Sequence, residues 1–167
     1  MYALSAVVVF FAAEATAFSP TELRHGFNTS IEEFYSTPEP VWTYESMVGA
    51  DVNLSCLVDV TANISRSYLY FQRFYYMNKE RHKNRLVRLL DPVHPNKSRS
   101  TLVYDGVFRY DLRVWNCSLA VGPEKDCLQY FNEVYSFHKG KPPVGVLKKR
   151  RVYNQTCHSI FNPLDGC

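Results

Sequence analysis

The stretch SYLYFQRFYYM, residues 67–77, decides the fold class. It contains no Gly or Pro, and six of its residues are Tyr or Phe, at positions 68, 70–71 and 74–76. Successive strand side chains point to opposite faces. Tyr68, Tyr70, Gln72, Phe74 and Tyr76 therefore share one face, and Leu69, Phe71, Arg73 and Tyr75 the other. Aromatic side chains suit a pleated, half-buried surface. This is the strongest strand in the chain, and its neighbours read the same way. Val41 to Met47 carries the strand formers Val41, Trp42, Thr43 and Tyr44. Asn53 to Thr61 alternates, with Val52, Leu54, Cys56, Val58 and Val60 on one side. Downstream, Arg85 to Leu90 and Thr101 to Phe108 are weaker strands, parted by the loop signals Asp91-Pro92 and Pro95-Asn96. Tyr110 to Asn116 is the last clear one before the pattern changes.

Beyond Gly122 and Pro123 the apolar period lengthens. Cys127, Leu128, Phe131, Val134, Tyr135 and His138 recur at three and four, which predicts an amphipathic helix ended by Gly140. Pro142-Pro143 breaks the chain, and Val144 to Tyr153 runs back as an extended segment. At the other end, Ser19-Pro20-Thr21-Glu22 and Thr29-Ser30-Ile31-Glu32 look like two helix starts, stopped by Pro38 and Pro40. Consecutive short strands followed by one helix point to a mainly β fold. The expected form is an up-and-down antiparallel barrel with short N-terminal helices and one C-terminal helix packed outside.

Several features place the chain outside the cell. Ala3 to Ala13 is an uncharged apolar run, too short to span a bilayer, and Ala15-Thr16-Ala17 is a small-x-small cleavage site. Residues 1–17 thus read as a signal peptide and 18–167 as one ligand-binding domain. The five cysteines are Cys56, Cys117, Cys127, Cys157 and Cys167, and an oxidising compartment pairs most of them. Six Asn-x-Ser/Thr sequons occur, at Asn28, Asn53, Asn63, Asn96, Asn116 and Asn154. Cys117 in the middle of the Asn116 sequon disfavours its use, which leaves five expected glycans.

The chemistry indicates binding rather than catalysis. The histidines His25, His82, His94, His138 and His158 fall in loops or on the helix, without an acid or nucleophile at motif spacing. No phosphate loop, dinucleotide turn or zinc-ligand spacing occurs, so no cofactor or metal is expected. Nucleic acid is an unsuitable partner for an exported chain with no recognition motif. Lys148-Lys149-Arg150-Arg151, the one dense basic run, reads as a solvated loop.

Ordered motifs carry a resemblance. Ile31-Glu32-Glu33-Phe34-Tyr35 leads into Pro40-Val41-Trp42-Thr43-Tyr44; Cys56 precedes Val58-Asp59-Val60. Tyr110-Asp111-Leu112-Arg113-Val114 precedes Asn116 and Ser118; Cys127-Leu128 and Phe131 follow, then Tyr153 with Cys157. In that order they resemble the salivary lipocalins of hard ticks, the group that includes the histamine-binding proteins. The likeness implies a secreted monomer that traps a host mediator, histamine or another biogenic amine. A lipid such as a leukotriene is the second ligand class. A module that blocks a plasma protein of complement or haemostasis is the third reading.

The resemblance also supplies site residues. A cationic amine needs a carboxylate and aromatic faces. Trp42, Tyr44, Asp59, Tyr68, Tyr70, Tyr76, Asp111, Arg113 and Trp115 are the expected ligand-binding set. Asp111 matches the position where amine-binding relatives carry an acid. Residues 111, 113 and 115 share a strand face, so Arg113 either neutralises Asp111, or binds a ligand carboxylate, or stacks on Trp42 as in many lipocalins. The likeness further pairs Cys56 with Cys157 or Cys167, with Cys157 favoured by its match to the C-terminal clamp, and Cys117 with Cys127. One departure stands out. The family has a further hairpin before its last strand, whereas here only Arg109 parts two strand-like pieces. One residue cannot reverse a strand, so 101–115 reads as one long bent strand in a shortened barrel.

Overall fold

The structure, a computed structural model, describes residues 31–48, 53–65, 68–89, 100–104, 109–139 and 147–160. The signal-like segment, the Ser19 helix start, Asn28, Asn96, His25, His94 and Cys167 lie outside them. The described chain is mainly antiparallel β-sheet. A short helix α1 (Ile31–Tyr35) precedes β1 (Val41–Val48), β2 (Leu54–Ile64), β3 (Tyr68–Met77), β4 (Glu80–Leu89), β5 (Ser100–Tyr104) and β6 (Arg109–Trp115). Helix α2 (Lys125–His138) and β7 (Lys148–Arg151) complete it, with short 3-10 turns at 116–118 and 155–160. Strand order is β4-β3-β2-β1-β6-β5, and β7 pairs with β1.

The opening stretch pairs along its whole length. β3 and β4 are in continuous register from Tyr68↔Leu89 to Met77↔Glu80. They are joined by Asn78 and Lys79, both with positive φ, 52° and 70°. Such a two-residue turn matches the right-handed strand twist. β4 starts five residues before the expected Arg85, because the turn chemistry of Asn78-Lys79 outweighs the polar character of 80–84. His82 consequently lies on a strand, stacked on Tyr75 at 5.0 Å, and not in a loop.

The bent-strand expectation for 101–115 is overturned. β5 and β6 are antiparallel partners, from Ser100↔Val114 to Tyr104↔Tyr110, so the chain reverses between them. Asp105-Gly106, a strong turn dipeptide, falls in this interval. The expected strand had absorbed it, and that left Arg109 alone as a connector.

Two irregularities shape the middle of the sheet. On β1, Thr43 pairs with Arg113 and Glu45 with Leu112, so Tyr44 is an extra, bulged residue. On β2 the register slips between Ser55 and Val58, where Cys56 takes φ 55°. β1 therefore pairs with β2 only at Val41 and Trp42, and with β7 at Glu45 to Val48. Val152 fills the fork. Its N–H donates to the Tyr44 carbonyl (3.1 Å) and its carbonyl accepts from Cys56 N–H (2.9 Å). The basic run 148–151 is thus a sheet strand and not a solvated loop. Lys149 and Arg151 lie 3.7 Å from the Glu45 carboxylate, and Arg151 covers the Tyr44 ring.

Alternation gives the sheet two faces. The Trp42 face is covered in two places. Met47 and Leu112 pack against Phe131, Val134 and Cys127 of α2. Trp42, Val58 and Phe74 pack against Tyr153, Cys157 and Ile160. The other face, called here the Arg113 face, is closed at one end by α1, whose Phe34 and Tyr35 bury with Val41, Leu69 and Phe71.

Cys56 and Cys157 form a disulfide, with Cα atoms 5.0 Å apart. Cys117 is also disulfide-bonded, whereas buried Cys127 forms no disulfide. The expected Cys117–Cys127 link is therefore wrong. Cys127 points from the first turn of α2 into the apolar cluster with Met47 and Leu112, while Cys117 is exposed.

The Cys56–Cys157 bond spans 101 residues, which in a chain-entropy model is worth about 4–5 kcal/mol. Replacing both cysteines by Ala should lower the unfolding free energy by an amount of that order, measured in denaturant. Non-reducing peptide mapping should recover Cys56 linked to Cys157. An alkylating reagent should reach Cys127 only after unfolding.

Candidate functional site

The Arg113 face carries a chain of five charged side chains from three strands. Arg113 and Asp111 alternate along β6. Asp59 stands opposite Arg73 in the β2–β3 register, which puts both on this face. The β1 bulge matters here. By inserting Tyr44 it lets Thr43 face Arg113 and Ser46 face Asp111 on the same side.

Arg113 is the centre, fully buried. Its Nη1 donates to Asp59 Oδ2 at 2.8 Å and its Nη2 to Asp111 Oδ2 at 2.9 Å. Asp59 also accepts from Arg73 through Nε (2.7 Å) and Nη2 (2.9 Å). Asp111 accepts from Arg109 through Nε (3.0 Å) and Nη2 (2.9 Å), and from the Ser46 hydroxyl (2.7 Å). The order is Arg73–Asp59–Arg113–Asp111–Arg109. The two inner carboxylates are saturated, and among the described residues of the cluster three guanidiniums meet two carboxylates. Only the outer members reach solvent, with Arg73 at 11% and Arg109 at 21% side-chain exposure.

Burial by itself would raise both carboxyl pKa values. The Arg113 guanidinium outweighs it, helped by Arg73 at Asp59 and by Arg109 and Ser46 at Asp111, so both lie below the ordinary carboxylate value. Thr43, directly opposite Arg113, is fully buried, and its hydroxyl has no hydrogen-bond partner among the described residues. Further along the face, Tyr75 stacks on His82 and accepts from Asn84 at 3.1 Å.

The expected ligand set divides between the faces. Asp59, Asp111, Arg113 and Trp115 share the Arg113 face. Trp115 closes its α1 end, donating to the Phe34 carbonyl at 2.9 Å. Trp42 lies opposite Val114, one residue out of phase with Arg113, so the two occupy opposite faces and do not stack. Its indole N–H donates to Asn116 Oδ1 at 2.9 Å. Tyr44 packs with Tyr153 on the Trp42 face, and Tyr76 packs there beside Phe74. Tyr68 and Tyr70 are exposed on that face as well. No aromatic box of Tyr68, Tyr70 and Tyr76 therefore forms around Asp59, whose strand partner is Arg73. Arg109 and Arg73 were not among the expected residues. The bidentate partner of Asp59 was legible only as a charge on an aromatic strand, and pairing it needs the cross-strand register.

A cleft of about 1010 Å³ is formed by the segments that cover Trp42. Asn116, Leu119, Tyr153, Asn154 and His158 line it, with the Tyr153 hydroxyl 2.8 Å from His158 Nε2. Of its asparagines, Asn116 is held by the Trp42 indole N–H, and Asn154 is exposed. No protein-family model and no curated protein matches the chain.

The depressed carboxyl pKa values set an acid limit. Their stabilisation is complete above the unfolded value near 3.8 and is lost as pH falls through the lower folded values. The thermal midpoint should hold level from neutral pH to about 4 and drop below it. Asp111→Asn leaves Arg113 and Arg109 without their shared counter-charge, and should cost about 3–5 kcal/mol at pH 7. Circular dichroism melts of both proteins across pH 2–7 measure this.

Proposed function

We propose that the chain is an exported binding protein of the hard-tick salivary lipocalin type, which sequesters a host mediator, and that the mediator is an anionic lipid such as a leukotriene. In this reading the end strands β4 and β5 come together to close the antiparallel sheet into a barrel, whose interior is the Arg113 face. The observation that carries the choice of ligand is the charge of that face. Three guanidiniums stand against two carboxylates, and both carboxylates are saturated and inaccessible. An amine would have to displace a guanidinium from a buried carboxylate to find its counter-charge. An incoming carboxylate instead meets the Arg109 guanidinium where it reaches solvent. Tyr75 and Leu86 offer apolar surface on the same face for a hydrocarbon tail.

Among the described residues no helix is long and apolar enough to cross a membrane. The Cys56–Cys157 bond fits an oxidising compartment. The disulfide supports export alongside the signal-like N-terminus.

Isothermal titration with leukotrienes, histamine and serotonin tests the choice. A leukotriene should bind and the two amines should give no heat. Arg109→Gln removes one charge-assisted contact while Asp111 keeps Arg113 and Ser46, so lipid affinity should fall about ten-fold or more. Saturable amine binding without lipid binding would overturn the ligand class. Silence with every small molecule, together with capture of a complement or clotting protein, would instead favour a blocking module.

A further inference from the structure

One part of the Trp42 face has no protein cover among the described residues. Tyr68, Tyr70 and Val87 expose 46%, 40% and 59% of their surface. The Tyr68 and Tyr70 rings are 6.4 Å apart, and Tyr70 stands opposite Val87 in the β3–β4 register. Farther along β3 the same face is capped, where Phe74 and Tyr76 lie under Cys157 and Ile160. Exposed aromatic surface next to a finished core marks a contact yet to be made.

The β2 register supplies the occupant. Asn63 pairs with Tyr70, and Ile64 with Leu69. Ile64 packs into the α1 cluster with buried Leu69 on the Arg113 face, so Asn63 is on the Trp42 face. Asn63, Tyr70 and Val87 thus form one row across β2, β3 and β4. Asn63 is exposed, and Asn63-Ile64-Ser65 is a glycosylation sequon. Its Oδ1 is turned back onto the Ile64 N–H at 2.9 Å, which directs the amide nitrogen away from the backbone. Neighbouring strands are about 5 Å apart, so a sugar on that nitrogen starts one strand spacing from the Tyr70 ring. A pyranose has an apolar C–H face, which stacks on an aromatic ring while its hydroxyls stay in water.

We propose that Asn63 carries an N-linked glycan whose first N-acetylglucosamine lies on Tyr70 and Tyr68, so that the sugar completes the cover of the Trp42 face. The inference rests on the export reading, since only a chain entering the secretory pathway meets the transferase. It does not depend on which mediator the other face binds.

Expression through a eukaryotic secretory pathway provides the material. Glycopeptide mapping should find Asn63 occupied. Asn63→Gln should lower the thermal midpoint by about 2–4 °C. That loss should vanish when the same change is made in a Tyr68→Ser/Tyr70→Ser background. Trimming the glycan enzymatically to a single N-acetylglucosamine should keep the gain, because the first sugar makes the contact. Should the tyrosine variant fail to fold, proton NMR of the native glycoprotein decides, with ring-current upfield shifts of the sugar protons expected. Occupancy at Asn53 or Asn154 with Asn63 bare would overturn this proposal alone. An equal loss with and without the tyrosines, or unshifted sugar protons, would also overturn it. Bare asparagines at every sequon would overturn the export reading with it.

Discussion

Arg113 holds two carboxylates at once, and the surrounding sheet is organised by that requirement. Asp59 and Asp111 come from strands that are not neighbours, since β1 lies between β2 and β6. A buried guanidinium is tolerable only if its charge is met at close range by good geometry. That condition ties β2 to β6 across β1 and fixes the rotation of all three. It also explains the bulge at Tyr44. Without the extra residue, β1 beyond Thr43 would present Glu45, not Ser46, to the charged side, and Asp111 would lose a hydrogen bond. Such a cluster contributes less to stability than an apolar core of the same volume. Its stronger effect is on specificity, because a register slip of one residue would bury unpaired charge.

How much of this was legible beforehand depends on range. The Tyr68–Met77 strand, the amphipathic helix and the extended return each follow from periodicity within a short window, and each is found. So is the link between Cys56 and Cys157, although the likeness to a family was needed to choose it over Cys167. The failures are non-local or hidden in turn chemistry. The chain reverses between β5 and β6, yet the Asp105-Gly106 turn signal in that interval sits inside an apolar run that reads as continuous strand. The polar stretch 80–84 is strand only because Asn78 and Lys79 fold it back onto β3. Cys127 reads as the partner of Cys117, but the helix turns it into the core. The site itself was half legible. Alternation along β6 put Asp111 and Arg113 on one face, while their partners Asp59, Arg73 and Ser46 become visible only with the register and the bulge.

The two faces divide labour by chemistry. One is closed around ions, with three guanidiniums about two carboxylates among the described residues. The other is aromatic and aliphatic, covered by α2 and the 152–160 segment over part of its area. A ligand that carries both a carboxylate and a hydrocarbon tail suits the first, and a sugar with one apolar side suits the second.

The fork between β1 and β2 has a consequence for biosynthesis. Val152 supplies the backbone groups that Tyr44 and Cys56 need, and Cys157 supplies the sulfur, so the first two strands are completed by segments made more than ninety residues later. During translation the Val41–Ile64 hairpin must leave the ribosome with its seam open and its cysteine reduced. Contacts so distant in sequence delay the rate-limiting step. Until its own C-terminal segment arrives to close the gap, the chain has to be shielded from aggregation.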